Sequence, residues 1–186
     1  MNDKQKQTLL KVARDSIEAA LTGKIFSAPK SDDSEMNAHC GCFVTLKNKE
    51  QLRGCLGRFT SDIPLIELIA EMAKSSATSD SRFFSDPITP SELNQLDIEI
   101  SVLSPLELTD DPLSLRLGVD GIYITKGRFS GCFLPQVATE TGWSKEQFFS
   151  YCCAHKAGLA PDAWKDEDTK VYLFTAEIFG ADFKDL

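Results

Sequence analysis

Apolar positions recur along the chain with two periods, and each period predicts a different element. Over residues 3–22, Leu9, Val12, Ala13, Ile17, Ala20 and Leu21 return at the spacing of a helix face, and Gly23 stands where a helix would stop. Residues 24–38, with Pro29 and a polar run at 30–34, interrupt the pattern and predict an exposed loop. Residues 41–46 then read as a strand, 47–50 as a turn and 51–55 as the returning strand of a hairpin. A second helix is predicted from about Asp62 to Ser76, with Ser61 or Asp62 as its cap and Pro64 tolerated in its first turn. Leu65, Ile66, Ile69, Met72 and Ala73 form its buried face.

The second half of the chain changes period. After an irregular stretch with Pro87 and Pro90, Ile98, Ile100 and Val102 alternate with Asp97, Glu99 and Ser101, as in a strand with one buried face. Residues 121–125 and 129–134 predict a hairpin around Lys126-Gly127-Arg128. Ser144 and Gln147 have capping-box spacing ahead of a helix carrying Phe148, Phe149 and Cys152, with Gly158 at its end. Residues 171–179 read as a last strand. Hairpins with interspersed helices, without regular βαβ units or an internal repeat, predict an α+β fold: a mainly antiparallel sheet with flanking helices.

Composition narrows the setting. The 186 residues suit one domain, with room for two intertwined subdomains, and a hydrophobic fraction of 42% supports a sizeable core. No apolar run approaches a membrane span, and the N-terminus leads into an amphipathic pattern and not a signal-peptide core, so the chain is read as cytoplasmic. A net charge of -8 argues against bulk binding to nucleic acid or anionic membrane. The 6 cysteines are read as reduced thiols. His39-Cys40-Gly41-Cys42 lacks the second pair of a zinc site, so Cys40 and Cys42 are read as small apolar residues at a strand start. Neither a metal nor a cofactor is expected.

The candidate chemistry lies in the hexapeptide Leu52-Arg53-Gly54-Cys55-Leu56-Gly57, followed by Arg58. On an extended strand Arg53 and Cys55 share a face. Gly54 and Gly57 allow a tight turn or a close approach, and the segment feeds toward the positive N-terminus of the second helix. One reading is a ligand site for a small anion, with Arg53 and Arg58 as clamps beside Gly54 and Gly57. Another is a nucleophilic Cys55 favoured as thiolate by its positive neighbours. A third is structural: Cys55 a small buried residue, and Arg53 paired with a carboxylate such as Glu99. His39 is the better partner for a Cys–His dyad, whereas His155 is read as a cation at a helix C-terminus. Asp80 and Arg82 are read either as an ion pair tethering a loop anchored by Phe83 or as the lining of a cleft. Gln136, at the start of a short helix, is either a ligand donor or a cap.

Several of these blocks occur together in order. They are residues 41–46, the hexapeptide, Asp80-Ser81-Arg82-Phe83, residues 98–105, Gly121-Ile122-Tyr123-Ile124, Leu134-Pro135-Gln136-Val137-Ala138, and residues 156–164. In this the chain resembles the AMMECR-type domain family, the system protein A of the AmmeMemoRadiSam set, from about residue 5 to residue 180. The resemblance implies a single AMMECR-type domain over 1–186, an α+β fold of two unequal lobes with a cleft between them, and a signature at residues 52–57. It also implies work alongside a Memo-like protein and a radical SAM protein, and it carries no settled activity. Three functions therefore stand open: a non-catalytic module binding a small anion, a cysteine-dependent enzyme using Cys55, and a nucleic-acid-associated factor.

Overall fold

A computed structural model describes residues 1–186. The chain divides into two compact units, one of residues 1–102 and 177–186, the other of residues 103–176. Both are α+β, and every described strand pairing is antiparallel.

In the first unit, helix α1 (Asp3–Leu21) opens on a capping box between Asn2 and Gln5. Strands β1 (Cys42–Asn48) and β2 (Gln51–Arg58) form the expected hairpin. Its loop contracts to Lys49 and Glu50, both with positive φ, the twist that lets a two-residue turn join antiparallel strands. Helix α2 spans Leu65–Thr78, and β3 spans Leu96–Leu103. The strand order is β2-β1-β3-β7, where β7 is Lys170–Asp182, with β2 at the edge. Cross-strand partners share a face, so Val44 with Ile100 and Leu46 with Ile98 form one apolar surface. Leu9, Leu10 and Ile17 of α1 and Leu65, Leu68 and Ile69 of α2 cover it, all buried.

In the second unit, short β4 (Glu107–Thr109) and β5 (Asp120–Lys126) flank the first half of β7 (Lys170–Asp182), and β6 (Phe129–Phe133) pairs with β5. Helix α3 covers Pro135–Thr141, and α4 covers Lys145–Cys152. The predicted Ser144–Gln147 capping box is present. Gly158 adopts φ 68° after a π-helical turn at Cys153–Ala157, so it ends that turn and not α4 itself. Phe148 and Phe149 are fully buried against Ile122, Ile124 and Trp164, worth about 2–3 kcal/mol each in removed apolar surface. No helix is long and apolar enough to cross a membrane.

The second helix differs from the sequence expectation at its start. Asp62 lies outside it, and Pro64 is the cap residue. The Ser61 hydroxyl is occupied in a local turn, accepting from Ile63 N and donating to its carbonyl.

Candidate functional site

The hexapeptide lies wholly within β2 and does not turn out of it. Its main irregularity is a β-bulge. Leu46 pairs with Gly54 and Lys47 with Leu52, so Arg53 is the extra residue. The bulge breaks the alternation by which Arg53 and Cys55 would share a face. Arg53 is 7% exposed, and its guanidinium goes to Glu92 (Nε–Oε1 2.7 Å, Nη2–Oε2 3.1 Å) and Asp86 (Nη1–Oδ2 2.7 Å). The carboxylate partner is therefore Glu92, together with Asp86, and not Glu99. Burial alone would push Glu92 up, but hydrogen bonds from Arg53 and Asn48 bring it below its ordinary value. All three guanidinium nitrogens of Arg53 are engaged, which removes the physical basis for reading it as an anion clamp.

Two segments far apart in sequence meet at Cys55. The Cys55 N–H donates to Asp80 Oδ2 at 2.9 Å, and Arg82 Nη2 donates to the Cys55 carbonyl at 3.2 Å. The Asp80–Arg82 pair thus satisfies both backbone groups of one residue on the open edge of β2, as a neighbouring strand would. Ser76 acts similarly, accepting from Leu56 N (2.9 Å) and donating to Val44 O (2.7 Å) from the buried end of α2. Asp80 is itself 5% exposed and also accepts from Arg82 N, Nε and Nη2. Hydrogen bonding from Arg82, then from the Cys55 backbone, brings its carboxyl down to about 2 against the opposing effect of burial. The predicted loop tether is present, and it also closes the strand edge. Arg82 remains 53% exposed, lies 5.5 Å over the Phe83 ring, and uses only Nε and Nη2 in these contacts.

The glycines serve close approach and not turning. A Cβ on Gly54 would fall 2.0 Å from the Ser76 carbonyl oxygen, and one on Gly57 would strike the Phe43 ring at 2.4 Å. Arg58, expected as a second clamp, forms an exposed ion pair with Glu71. The N-terminus of α2 is also closed: Leu65 N donates to Ala38 O and Ile66 N to Met36 O, so those amides are not free for an anion.

Cys55 is half-buried and accepts a hydrogen bond from the Thr45 hydroxyl (3.2 Å). Burial pushes its thiol above the ordinary value. Thr45 and Arg82 pull the other way, while Asp80 and Glu99 reinforce the rise. Positive neighbours therefore do not make a thiolate here. No hydrogen bond joins exposed His39 to Cys55. Cys42 faces the core and its thiol is driven strongly upward by burial, while Cys40 is half-buried. His155 stacks on Tyr151 at 5.7 Å within the π-helical turn. Gln136 lies in the first turn of α3, in the second unit.

The sequence reading missed the bulge and the Glu92–Asp86 cage. It also missed a second brace of the Asp80–Arg82 kind, Asp120–Arg116, in the second unit. The bulge lies in the pairing register of β1 and β2, which no local pattern shows, and an Arg and an Asp four apart, the Asp opening β5, gave no signal for the last.

The AMMECR1 family model matches residues 10–179. A protein of Methanothermobacter thermautotrophicus is 44% identical over 183 residues, covering 95% of this chain and 94% of the relative. Protein PH0010 of Pyrococcus horikoshii is 42% identical over 194 residues, covering 98% and 93%. The crystal structure of PH0010 superposes with a TM-score of 0.89 at 41% identity, covering 100% of this chain and 95% of that one. None of these names carries an activity.

Proposed function

The chain belongs to the AMMECR1 family, and from that premise and the geometry around Cys55 we propose that it is a non-catalytic binding module. Its 52–57 strand and Arg82 present one fixed cation to an anionic group. The observation that carries this reading is the bracing of Arg82. Buried Asp80 holds Nε and Nη2, the Cys55 carbonyl takes a further contact, and Nη1 is left uncommitted on a side chain that is more than half exposed. A guanidinium fixed before binding loses little entropy when a carboxylate or phosphate docks. Arg82 takes over the role expected of Arg53. As such a module the protein would work with the Memo-like and radical SAM proteins that the family resemblance implies.

The cysteine-dependent enzyme is the second reading, and the environment of the thiol counts against it: a nucleophile needs a lowered pKa or an adjacent base, and Cys55 has a raised pKa with a hydroxyl as neighbour. The nucleic-acid reading has a net charge of -8 against it. Genetic complementation tests the choice. Arg82→Ala, with folding confirmed by thermal unfolding, should abolish function while Cys55→Ser retains it. Loss with Cys55→Ser and retention with Arg82→Ala would overturn the module reading in favour of the enzyme.

A further inference from the structure

The brace seen at Asp80–Arg82 recurs in the second unit with different surroundings. Asp120, the first residue of β5, is 5% exposed and accepts from Arg116 N (2.8 Å), Nε (3.0 Å) and Nη2 (2.7 Å). Hydrogen bonding from Arg116 holds the Asp120 carboxyl below its ordinary range. The guanidinium is fixed in one orientation, yet 66% of the side chain stays exposed, and Nη1 is not part of the brace. Beside it opens a cavity of about 310 Å³ within residues 104–175. Ser114, Thr175 and Leu173 help to line it, and so does Glu107. Glu107 is exposed, and Arg116 pairs with Asp120 and not with Glu107.

Charge and space together select a ligand. The Asp120–Arg116 pair is neutral as a unit, so Glu107 leaves the cavity with one net negative charge. A plain anion would meet that charge unfavourably. A plain cation would leave the fixed donors of Arg116 unused. A molecule carrying both signs answers both groups, since each charge-assisted hydrogen bond is stronger than a neutral one. The volume is at the lower end of ligand cavities, roughly 300–1,000 Å³, which fits a small molecule and not a dinucleotide or long chain.

We propose that this cavity binds a small zwitterion of the α-amino-acid type. The carboxylate accepts from Arg116 Nη1 and the ammonium donates to Glu107. The Thr175 hydroxyl supplies a further hydrogen bond, Ser114 Oγ, which already donates to Asp111 O, can accept one from the ammonium, and Leu173 provides apolar contact. This site is independent of the reading at Cys55 and stands or falls separately.

The test is a nuclear magnetic resonance titration of the full chain with L-serine, following the Arg116 Nε–H and the amides of Ser114 and Thr175. Acetate and methylamine serve as the two charged halves. Glu107→Gln is the variant, chosen because Glu107 is exposed and outside the Asp120–Arg116 brace, so the fold should persist. L-Serine should give saturable shifts at these three groups, and Glu107→Gln should weaken binding by roughly tenfold, the scale of one charge-assisted hydrogen bond. Neither acetate nor methylamine should saturate over the same range. Absence of saturable shifts, unchanged affinity in Glu107→Gln, or saturation by either half alone would each overturn the proposal.

Discussion

Asp80–Arg82 in the first unit and Asp120–Arg116 in the second are the same device in two settings. In each, a carboxylate that is 5% exposed takes the backbone N–H, Nε and Nη2 of an arginine whose side chain stays mostly in water. In the first unit the pair is tied onward to the N–H and C=O of Cys55, and the cavity beside it holds only about 20 Å³. In the second unit the pair looks onto about 310 Å³ with Glu107 outside the brace. An ordered arginine is thus a structural staple that closes a strand edge in one place and forms the wall of an open cavity in the other. Room and an uncommitted opposite charge make the difference. Arg53, which lines the same small cavity as Asp80, marks the far end of the series, with every nitrogen of its guanidinium engaged by carboxylates.

Substitutions can break this comparison, and the largest effect should come from the packing of the first unit. Gly54→Ala places a Cβ 2.0 Å from a backbone oxygen of α2 that cannot rotate away, so urea unfolding should show a loss of more than about 3 kcal/mol, or no folded protein. Arg53→Met should cost about 3 kcal/mol by the same measurement, because it strands the largely buried Glu92 carboxylate without its partner.

Asp80→Asn should come next, at about 2 kcal/mol for lost charge-assisted hydrogen bonds. It also has a pH signature. The folded-state value, about 2, lies below the ordinary 3.8, so the Asp80 contribution is complete above the ordinary value and is lost as pH falls through about 2. The wild-type chain should therefore lose stability across that acid window, and Asp80→Asn should show a flatter acid limb. An unchanged limb would mean that the brace does not carry the linkage. Arg58→Ala should have the smallest effect, within about 0.5 kcal/mol, because its pair with Glu71 is exposed on both sides.

Periodicity made most of the fold legible. Residues 3–22 became Asp3–Leu21, the first hairpin appeared in place, and the alternation at 97–103 became Leu96–Leu103. These elements are set by local pattern and by which face is buried, and both are written in the residues. The start of α2 was misplaced because Ser61 satisfies its own turn and does not cap a helix. The site was legible only in outline. The hexapeptide and the Asp80-Ser81-Arg82-Phe83 block stood out separately, and nothing local says that Asp80 reaches the Cys55 amide across 25 positions. A one-residue bulge was enough to send Arg53 away from Cys55, since pairing register is a property of two strands together.

In the first unit the braced Arg82 lies beside a Cys55 thiol whose pKa is raised by burial. The rate of iodoacetamide alkylation at Cys55, resolved by peptide mass spectrometry against pH and compared with a free thiol, tests it most directly. Alkylation at pH 7 should be no faster than that of the free thiol, with a rate still rising above the ordinary thiol value of 9.0. A rate that is faster than the free thiol and already level below pH 7 would show a stabilised thiolate, and would contradict it.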